Sequence, residues 1–247
     1  MRFERQTDLG GIRIFQQAEW TDRFPGLVQG ITARAPGLDF GLPGADSGTE
    51  ADSGNHTLRR AAGLESMARC RQVHGDRVVC LDAPLDPGLS VVGAADALVT
   101  PRADLLLAVT VADCVPAFFV DPEHRLIALS HAGWRGTAAG VIEATLAAMR
   151  TRGGVPAALF AHLGPAICGR CYQVGPEVAA ALGLEPAEHR TVDLRANIAG
   201  RLEAAGLRAE RITASEACTR CHGDDYYSFR GGDRGHRMCA FLGWSAG

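Results

Sequence analysis

Long apolar runs with few polar interruptions occupy the middle of the chain. Leu105–Thr110, Val115–Val120 and Arg125–Ser130 are almost wholly apolar, a pattern typical of strands that are buried on both faces. Shorter runs bounded by turn-forming or charged residues predict additional strands at Gly11–Phe15, Arg77–Leu81, Ala97–Thr100, Val155–Leu163, Arg211–Ala214 and Arg237–Leu242.

Two segments show helical spacing instead. Downstream of Thr137, apolar side chains fall on one face of a predicted helix at positions Val141, Ile142, Thr145, Leu146 and Met149. The second predicted helix is Asp193–Ala205, with Asp193 as its N-cap and Gly206 as its terminator.

No linker or shift in composition divides the chain. We therefore predict one α/β domain over residues 1–247, with a mixed β-sheet flanked by helices. The segment Pro36–Asn55 is rich in Gly, Asp and Ser and has little periodicity, which predicts a loop.

Composition and charge exclude several functional classes. The chain is 47% hydrophobic and 21% charged, and its net charge is -3. The chain has no excess of positive charge that would attract phosphate backbones, so we expect no nucleic-acid partner. The apolar stretch around Leu105–Val120 contains Asp113 and Pro116 and is too short to span a bilayer. The N-terminus has no signal-like apolar segment, so we expect a cytoplasmic protein with no membrane partner and with mostly reduced cysteines.

All 25 basic residues are arginine. The absence of lysine excludes Schiff-base chemistry, pyridoxal-phosphate anchoring and a Walker-type lysine. A GC-rich coding sequence that favours Arg, Ala and Gly explains this bias without any functional cause.

Three residues next to predicted strands are candidates for chemistry. His74 lies in a Gly-containing turn before a strand, and Cys114 and His131 flank Val115–Ser130. A hairpin with its turn near Asp121–His124 would bring Cys114 and His131 to the same end of the sheet, where catalytic groups commonly lie.

Imidazole and thiolate are ligands that zinc prefers, and three protein ligands with one open position are typical of catalytic zinc. Asp113 and Asp76 are candidates to orient a ligating imidazole, and Arg135 is a candidate anion contact. The same residues also fit a metal-free hydrolase with a Cys114–His131 dyad, and each is compatible with a purely structural role.

Six segments in order resemble a known family. QVHGDRVV, ADALVT, ADCVPAFFVD, SHAGWRGTAAGVI, GPAICGRCYQVG and YYSFRGGDRGHR are similar to the peptidoglycan editing factor family, also called the laccase-domain or polyphenol oxidase family. The match runs from about residue 71 to the end. The resemblance implies zinc at His74, Cys114 and His131 and an α/β fold related to that of bacterial cysteine-hydrolase toxins.

The activity that the resemblance implies is phosphorolysis of adenosine, inosine, guanosine and methylthioadenosine, together with adenosine deamination. The partners would be a nucleoside and phosphate, and the candidates for holding phosphate are Arg135, Arg34 and Arg230. The sequence departs from the family pattern in the segment 30–37, at Gln173 where Glu is common, and at Gly235-His-Arg237 where Thr-Gly-Arg is usual.

A second group of cysteines permits several interpretations. Cys168, Cys171, Cys218 and Cys221 form two Cys-x-x-Cys motifs, which suit either a four-thiolate zinc site or a redox pair. With His222, the second motif also matches the haem c attachment pattern, which is used outside the bacterial cytoplasm. Cys70, Cys80 and Cys239 are interpreted as core residues.

Our leading hypothesis is a zinc-dependent purine nucleoside phosphorylase with adenosine deaminase activity. The alternatives are a copper-dependent polyphenol oxidase, a Cys114-dependent hydrolase that edits peptidoglycan precursors, and a zinc-binding partner protein without enzymic activity. Only eight histidines are present and they are scattered, which is few for a multicopper enzyme, although copper(II) can occupy the predicted zinc site.

Overall fold

A computed structural model describes residues 4–35, 37–38, 40 and 53–245. Its strands are β1 Glu4–Leu9, β2 Ile12–Gln17, β3 Leu27–Thr32, β4 Ser66–Arg71, β5 Val78–Cys80, β6 Gly88–Ala94, β7 Ala97–Thr100, β8 Leu105–Val111, β9 Val115–Asp121, β10 Leu126–Ala132, β11 Phe160–Leu163, β12 Gln173–Val174, β13 Arg190–Thr191, β14 Ile212–Ala214 and β15 Met238–Trp244. Its helices are α1 Ala18–Arg23, α2 Ser53–Ala61, α3 Trp134–Ala139, α4 Val141–Arg150, α5 Pro176–Ala181 and α6 Leu194–Ala204.

Most of these strands form two large mixed sheets rather than the single sheet that we predicted. The first has the order β1-β2-β3-β15-β8-β4-β6, and the second has the order β14-β11-β9-β10-β7-β5. Antiparallel pairing dominates both sheets, but β4 runs parallel to β6 and β8, β5 to β7, and β11 to β14. The sequence could not distinguish one sheet from two, because a strand that is buried on both faces has the same pattern in either arrangement.

The alternation of side chains along β7 shows how the layers stack. Leu98 packs in the cluster between the two sheets, whereas Ala97 and Val99 face the opposite way, toward α4 and α6. A third cluster, which includes Leu58 and Phe241, lies between α2 and the outer face of the first sheet. The order of layers is therefore helix, sheet, sheet, helix, and the central strands are covered on both faces.

The helical predictions are confirmed closely. All five positions predicted for the apolar face of α4 are buried. Asp193 caps α6, because its side chain accepts a hydrogen bond from the backbone N–H of Ala196 at 3.1 Å. Gly206 follows that helix with a φ of +98°, a conformation that favours glycine at a helix terminus.

Two predicted segments differ from the structure. The strand predicted over Val155–Leu163 is confined to β11, because Pro156 begins a short 3₁₀ turn that ends at Ala158. The loop predicted over Pro36–Asn55 falls mostly outside the described residues, but from Ser53 onward the chain is helical. That one domain spans residues 1–247 stays a prediction. Across the part of the chain that the structure describes, no helix is long and apolar enough to cross a membrane.

Candidate functional site

The three predicted ligands converge on one point. His74 lies in the loop between β4 and β5, Cys114 immediately precedes β9, and His131 lies near the end of β10. Their potential ligand atoms all lie within 4.8 Å of one another. We call these three residues the imidazole–thiol centre.

The β9–β10 hairpin places two of these ligands together, as predicted. The strands are antiparallel, and His131 pairs with Pro116 while Ala132 pairs with Val115. Cys114 is therefore adjacent in space to His131. Asp113, with a φ of +85°, makes the sharp turn that leads from β8 into β9.

The third ligand is held by a carboxylate that we did not predict. Asp96 is completely buried, and it accepts hydrogen bonds from the backbone N–H groups of Val73, His74 and Gly75 at 3.1, 3.0 and 2.8 Å. These bonds fix a turn in which His74 has a φ of +59°. A non-glycine residue at such a φ is uncommon and is often found at functional sites.

Asp96 also orients the second imidazole. Its Oδ1 lies 2.9 Å from Nδ1 of His131, which leaves Nε2 as the nitrogen that can ligate. This corrects the prediction that Asp113 or Asp76 orients a histidine. A buried acidic residue directly before the apolar strand Ala97–Thr100 was the available signal for Asp96.

Asp113 instead anchors the surrounding loops. Its Oδ1 accepts a hydrogen bond from the Thr219 hydroxyl at 2.6 Å, and its Oδ2 accepts one from the backbone N–H of Arg230 at 2.7 Å. Asp76 is exposed. Asp113 therefore connects the turn that carries Cys114 to two distant segments of the chain.

Gly133 leaves the space that the thiol occupies. A Cβ atom at this position would lie 2.9 Å from Cys114 Sγ and 3.5 Å from His74 Cδ2. The backbone at Gly133 is extended, with a φ of -80°, so glycine is required here by the close approach of the thiol and not by its dihedral angles.

The charges within the centre favour a thiolate. Burial alone would raise the pKa of Cys114, but the charge of His131 and hydrogen bonds from both imidazoles lower it from 9.0 to about 6. Burial also opposes the charge on His131, yet the Cys114 thiolate and Asp96 raise its pKa from 6.5 to about 9. Burial works against the charge of Asp96 too, but hydrogen bonds from His131 and Gly75 hold its pKa below the ordinary value.

Two of the three predicted arginines lie near this centre. Burial raises the pKa of Tyr172 to about 12, and the negative charge of Cys114 adds to that effect while Arg230 and Arg135 oppose it. Tyr172 therefore lies within electrostatic range of the thiol and of both guanidinium groups. Arg230 Cζ is 5.2 Å from the centre of the Tyr172 ring, and Arg135 is exposed and stacks over Trp134 at 4.4 Å.

The third predicted arginine has other contacts. Arg34 donates to Asp233 Oδ2 at 2.9 Å and lies over the Tyr227 ring at 4.6 Å. The same carboxylate oxygen accepts the backbone N–H of Ser228. Arg34 thus stabilises the loop that contains Arg230.

The donor atoms of the imidazole–thiol centre fit a metal ion. Two imidazoles and a thiolate with a lowered pKa are suitable ligands for zinc, and copper also binds this combination. A carboxylate on the far nitrogen of a ligating histidine is the usual support for such a site. A separate cavity of about 350 Å³, near Glu4, Phe15 and Tyr226, has no member of the centre among its lining residues.

Comparisons with known proteins agree on the family of this chain. The family model described as multi-copper polyphenol oxidoreductase laccase matches residues 18–245. A purine nucleoside phosphorylase of Streptomyces coelicolor is 36% identical over 226 residues, which cover 85% of this chain and 88% of that relative. An adenosine deaminase of an unknown prokaryotic organism is 34% identical over 184 residues, which cover 68% of this chain and 70% of that relative.

The solved structures extend the agreement to the fold. The crystal structure of YlmD from Geobacillus stearothermophilus has a TM-score of 0.84 and 31% sequence identity, and the match covers 100% of both chains. These findings confirm the resemblance and the mixed α/β fold. The chain belongs to the multi-copper polyphenol oxidoreductase laccase family, and its similar relatives include purine nucleoside phosphorylases.

Proposed function

We propose that the protein is a zinc-dependent purine nucleoside phosphorylase that also deaminates adenosine. The observation that carries this proposal is the convergence of His74, Cys114 and His131, with Asp96 on the far nitrogen of His131. The names of the relatives supply the reaction class. The proposed nucleosides are adenosine, inosine, guanosine and methylthioadenosine.

Each residue of the centre has a proposed task. Zinc at this position would supply a Lewis acid and an acidified water molecule near neutral pH. Asp96 keeps the His131 ring oriented and its Nδ1 protonated, so that Nε2 faces the centre. The low pKa of Cys114 provides a thiolate ligand at little cost in proton release.

Phosphorolysis also needs a site for an anion. In that reaction a phosphate oxygen forms the new bond to the sugar C1′ while the bond to the purine nitrogen breaks. We assign phosphate binding to Arg230 and Arg135. The backbone N–H of Arg230 bonds to Asp113, next to Cys114. Arg135 follows Gly133, which lies at the Cys114 sulfur. Arg34 is bound to Asp233, and we assign it to positioning the loop of Arg230.

The test combines metal content with product analysis. We expect His131→Ala to lose the zinc ion bound at the imidazole–thiol centre and to lose phosphate-dependent release of adenine from adenosine by at least about 10³-fold. Omission of phosphate should abolish adenine release by the wild type but leave inosine formation. Zinc is measured by elemental mass spectrometry and products by chromatography.

The matched control is His56→Ala. His56 is exposed on α2 and lies outside the imidazole–thiol centre, so its replacement should leave zinc content and turnover at wild-type values. Adenosine turnover that persists unchanged in His131→Ala would refute the proposal.

Copper-dependent oxidation of phenols is the second candidate, and the description of the family favours it. A multicopper oxidase needs several imidazole-rich copper positions. Within the described ranges, the only groups suited to a metal are the imidazole–thiol centre and a set of four cysteines, so only two histidines converge. Phenol oxidation by the copper-loaded protein at a rate above its zinc-dependent phosphorolysis would reverse this preference.

A metal-free hydrolase with Cys114 as nucleophile is the third candidate. The low pKa of Cys114 and its contact with His131 favour it, because a thiolate–imidazolium pair is an activated nucleophile. Activity on peptidoglycan precursors that survives complete removal of metal would support this mechanism. A zinc-binding partner protein, in contrast, would show neither adenosine turnover nor hydrolysis of peptidoglycan precursors.

A further inference from the structure

We propose that Cys168, Cys171, Cys218 and Cys221 bind a second zinc ion whose role is structural. We call these four residues the thiol cluster. Their Sγ atoms all lie within 4.8 Å of one another, and those of Cys171 and Cys221 are 3.4 Å apart. Four cysteine sulfurs from two Cys-x-x-Cys motifs form the closed ligand set of structural zinc.

The backbone around the cluster is arranged to support negatively charged sulfur. The backbone N–H groups of Cys168 and Cys221 both point at Cys218 Sγ, at 3.3 and 3.4 Å. In the first motif, Cys171 N–H donates to the carbonyl of Cys168 at 2.9 Å and closes a tight turn. Hydrogen bonds from N–H groups stabilise a thiolate more than a neutral thiol.

The charges near the cluster match those of a tetrathiolate zinc site. Four thiolates with one zinc ion carry two negative charges. Each motif has an arginine directly before its second cysteine, Arg170 and Arg220, and these supply two positive charges. Arg220 Nη1 reaches the carbonyl of Cys171 at 3.4 Å, so its charge lies beside the opposite motif.

His222 does not compete with the four sulfurs. Its Nδ1 lies 3.1 Å from the carbonyl oxygen and 3.3 Å from the backbone nitrogen of Cys218. This contact turns the imidazole ring toward the backbone, and His222 is absent from the group of candidate ligands. The motif therefore offers thiols alone to a metal ion.

The position of the cluster indicates what the metal would stabilise. One motif follows β11 and the other follows β14, and the two segments meet through a bridge between Ala166 and Cys218. Thr219, inside the second motif, donates to Asp113, and Ile167 N–H donates to the carbonyl of Asp113 at 3.1 Å. A metal ion here would hold both segments against the turn that carries Cys114.

A disulfide explains the geometry less well. It would join two of the four sulfurs at about 2.05 Å and would leave the other two thiols without a reason to converge. The sulfurs of Cys171 and Cys221 are 3.4 Å apart, which is well beyond the length of a disulfide bond. Four reduced sulfurs in one group are the arrangement that a tetrahedral ion requires.

The experiment measures metal content in three variants of the full chain. We expect two zinc ions per chain in the wild type and one in Cys171→Ser/Cys221→Ser. His131→Ala should retain the zinc of the cluster, which separates this inference from the proposed phosphorylase. Cys80→Ser is the matched control, because its half-buried thiol lies outside both groups, and we expect it to retain two zinc ions.

A second readout covers the event that the double variant does not fold. Cys221 is exposed, so Cys221→Ser alone should fold, and cobalt(II) bound at the cluster should lose part of its intense sulfur-to-metal charge-transfer absorption. A wild-type protein that holds a single zinc ion, lost in His131→Ala and kept in Cys221→Ser, would overturn the inference. A disulfide between Cys171 and Cys221 in the freshly purified protein would overturn it as well.

Discussion

The imidazole–thiol centre and the thiol cluster each have donor atoms within 4.8 Å of one another, but they are built differently. The imidazole–thiol centre lies at the ends of strands in the second sheet, and the ring of its His131 is fixed by Asp96, which is fully buried. The second joins two loops and ranges from the buried Cys218 to the exposed Cys221. The first has three donors of two kinds, and the second has four of one kind.

This difference supports the role that we propose for each group. Three ligands leave a position for water or substrate, whereas four sulfurs close the coordination of zinc. The supporting contacts agree with that distinction. Asp96 orients the ring of His131 at the imidazole–thiol centre, whereas a backbone N–H group and the guanidinium group of Arg220 contact the thiol cluster.

Among substitutions outside the three ligand residues, the largest expected effect is that of Gly133→Ala on catalysis. The new Cβ would lie 2.9 Å from Cys114 Sγ, so the sulfur must move while the extended backbone of Gly133 accepts alanine. Displacement of a catalytic group by about 1 Å reduces turnover on the order of 10²-fold. Adenosine phosphorolysis and zinc content together measure the effect, and the metal of the thiol cluster should be unaffected.

The matched control for this substitution is Gly200→Ala. Within the described residues, nothing lies within 4 Å of a Cβ at Gly200, which is inside α6. We expect turnover to be unchanged and the free energy of unfolding to rise by about 0.5–1 kcal/mol. Full activity in Gly133→Ala would show that the position of the Cys114 sulfur does not limit the reaction.

The next effect is that of Asp96→Asn. Loss of the carboxylate weakens the support of His131 and of the His74 turn, and such changes reduce metal affinity or activity by about 10–100-fold. Competition with a chelator of known affinity measures the zinc dissociation constant. Asp82→Asn is the control, because Asp82 pairs with Arg152 at the surface. Equal zinc affinities in the two variants would contradict the role given to Asp96.

The smallest effect is the pH dependence of alkylation in the metal-free protein. Because the pKa of Cys114 is lowered to about 6, its reaction with iodoacetamide should reach half its maximal rate near pH 6. Cys80 is the internal reference, since burial raises its pKa above 9.0. Peptide mass spectrometry separates the two sites. A midpoint for Cys114 near 9 would disprove the thiolate–imidazolium pair.

The same pair sets a pH window for stability without metal. The depressed pKa of Cys114 contributes stability that is complete above 9.0 and is lost as the pH falls through about 6. The raised pKa of His131 contributes stability that is complete below 6.5 and is lost as the pH rises through about 9. The two contributions therefore overlap most strongly between about pH 6 and 9.

Much of the fold could be predicted from local pattern. The strand Ala97–Thr100 and the buried face of α4 follow directly from apolar spacing. The pairing of strands into two sheets could not be predicted, because β15 and β3 join across more than 200 residues by hydrogen bonds that leave no local signal. The edge strand β1, with its mixed polar composition, also has no clear apolar alternation.

The site was predictable where chemistry is specific to a residue type. His74, Cys114 and His131 were predicted to converge because imidazole and thiolate are typical metal ligands and because their segments resemble those of the family. That they bind a metal stays a prediction. Asp96 was missed because its role depends on three backbone N–H groups and one ring nitrogen that come together only in the folded chain. Asp113 was given the wrong contact because a neighbour in sequence need not face the same ligand.

The β9–β10 hairpin has a consequence for the order of folding. A hairpin between adjacent strands forms on a microsecond scale and needs few long-range contacts. Cys114 and His131 are brought together by this hairpin alone, whereas His74 is held in place by Asp96, which lies far from it in sequence. A nascent chain therefore presents two of three ligands before the sheets are complete, and we expect free zinc to accelerate the late docking step.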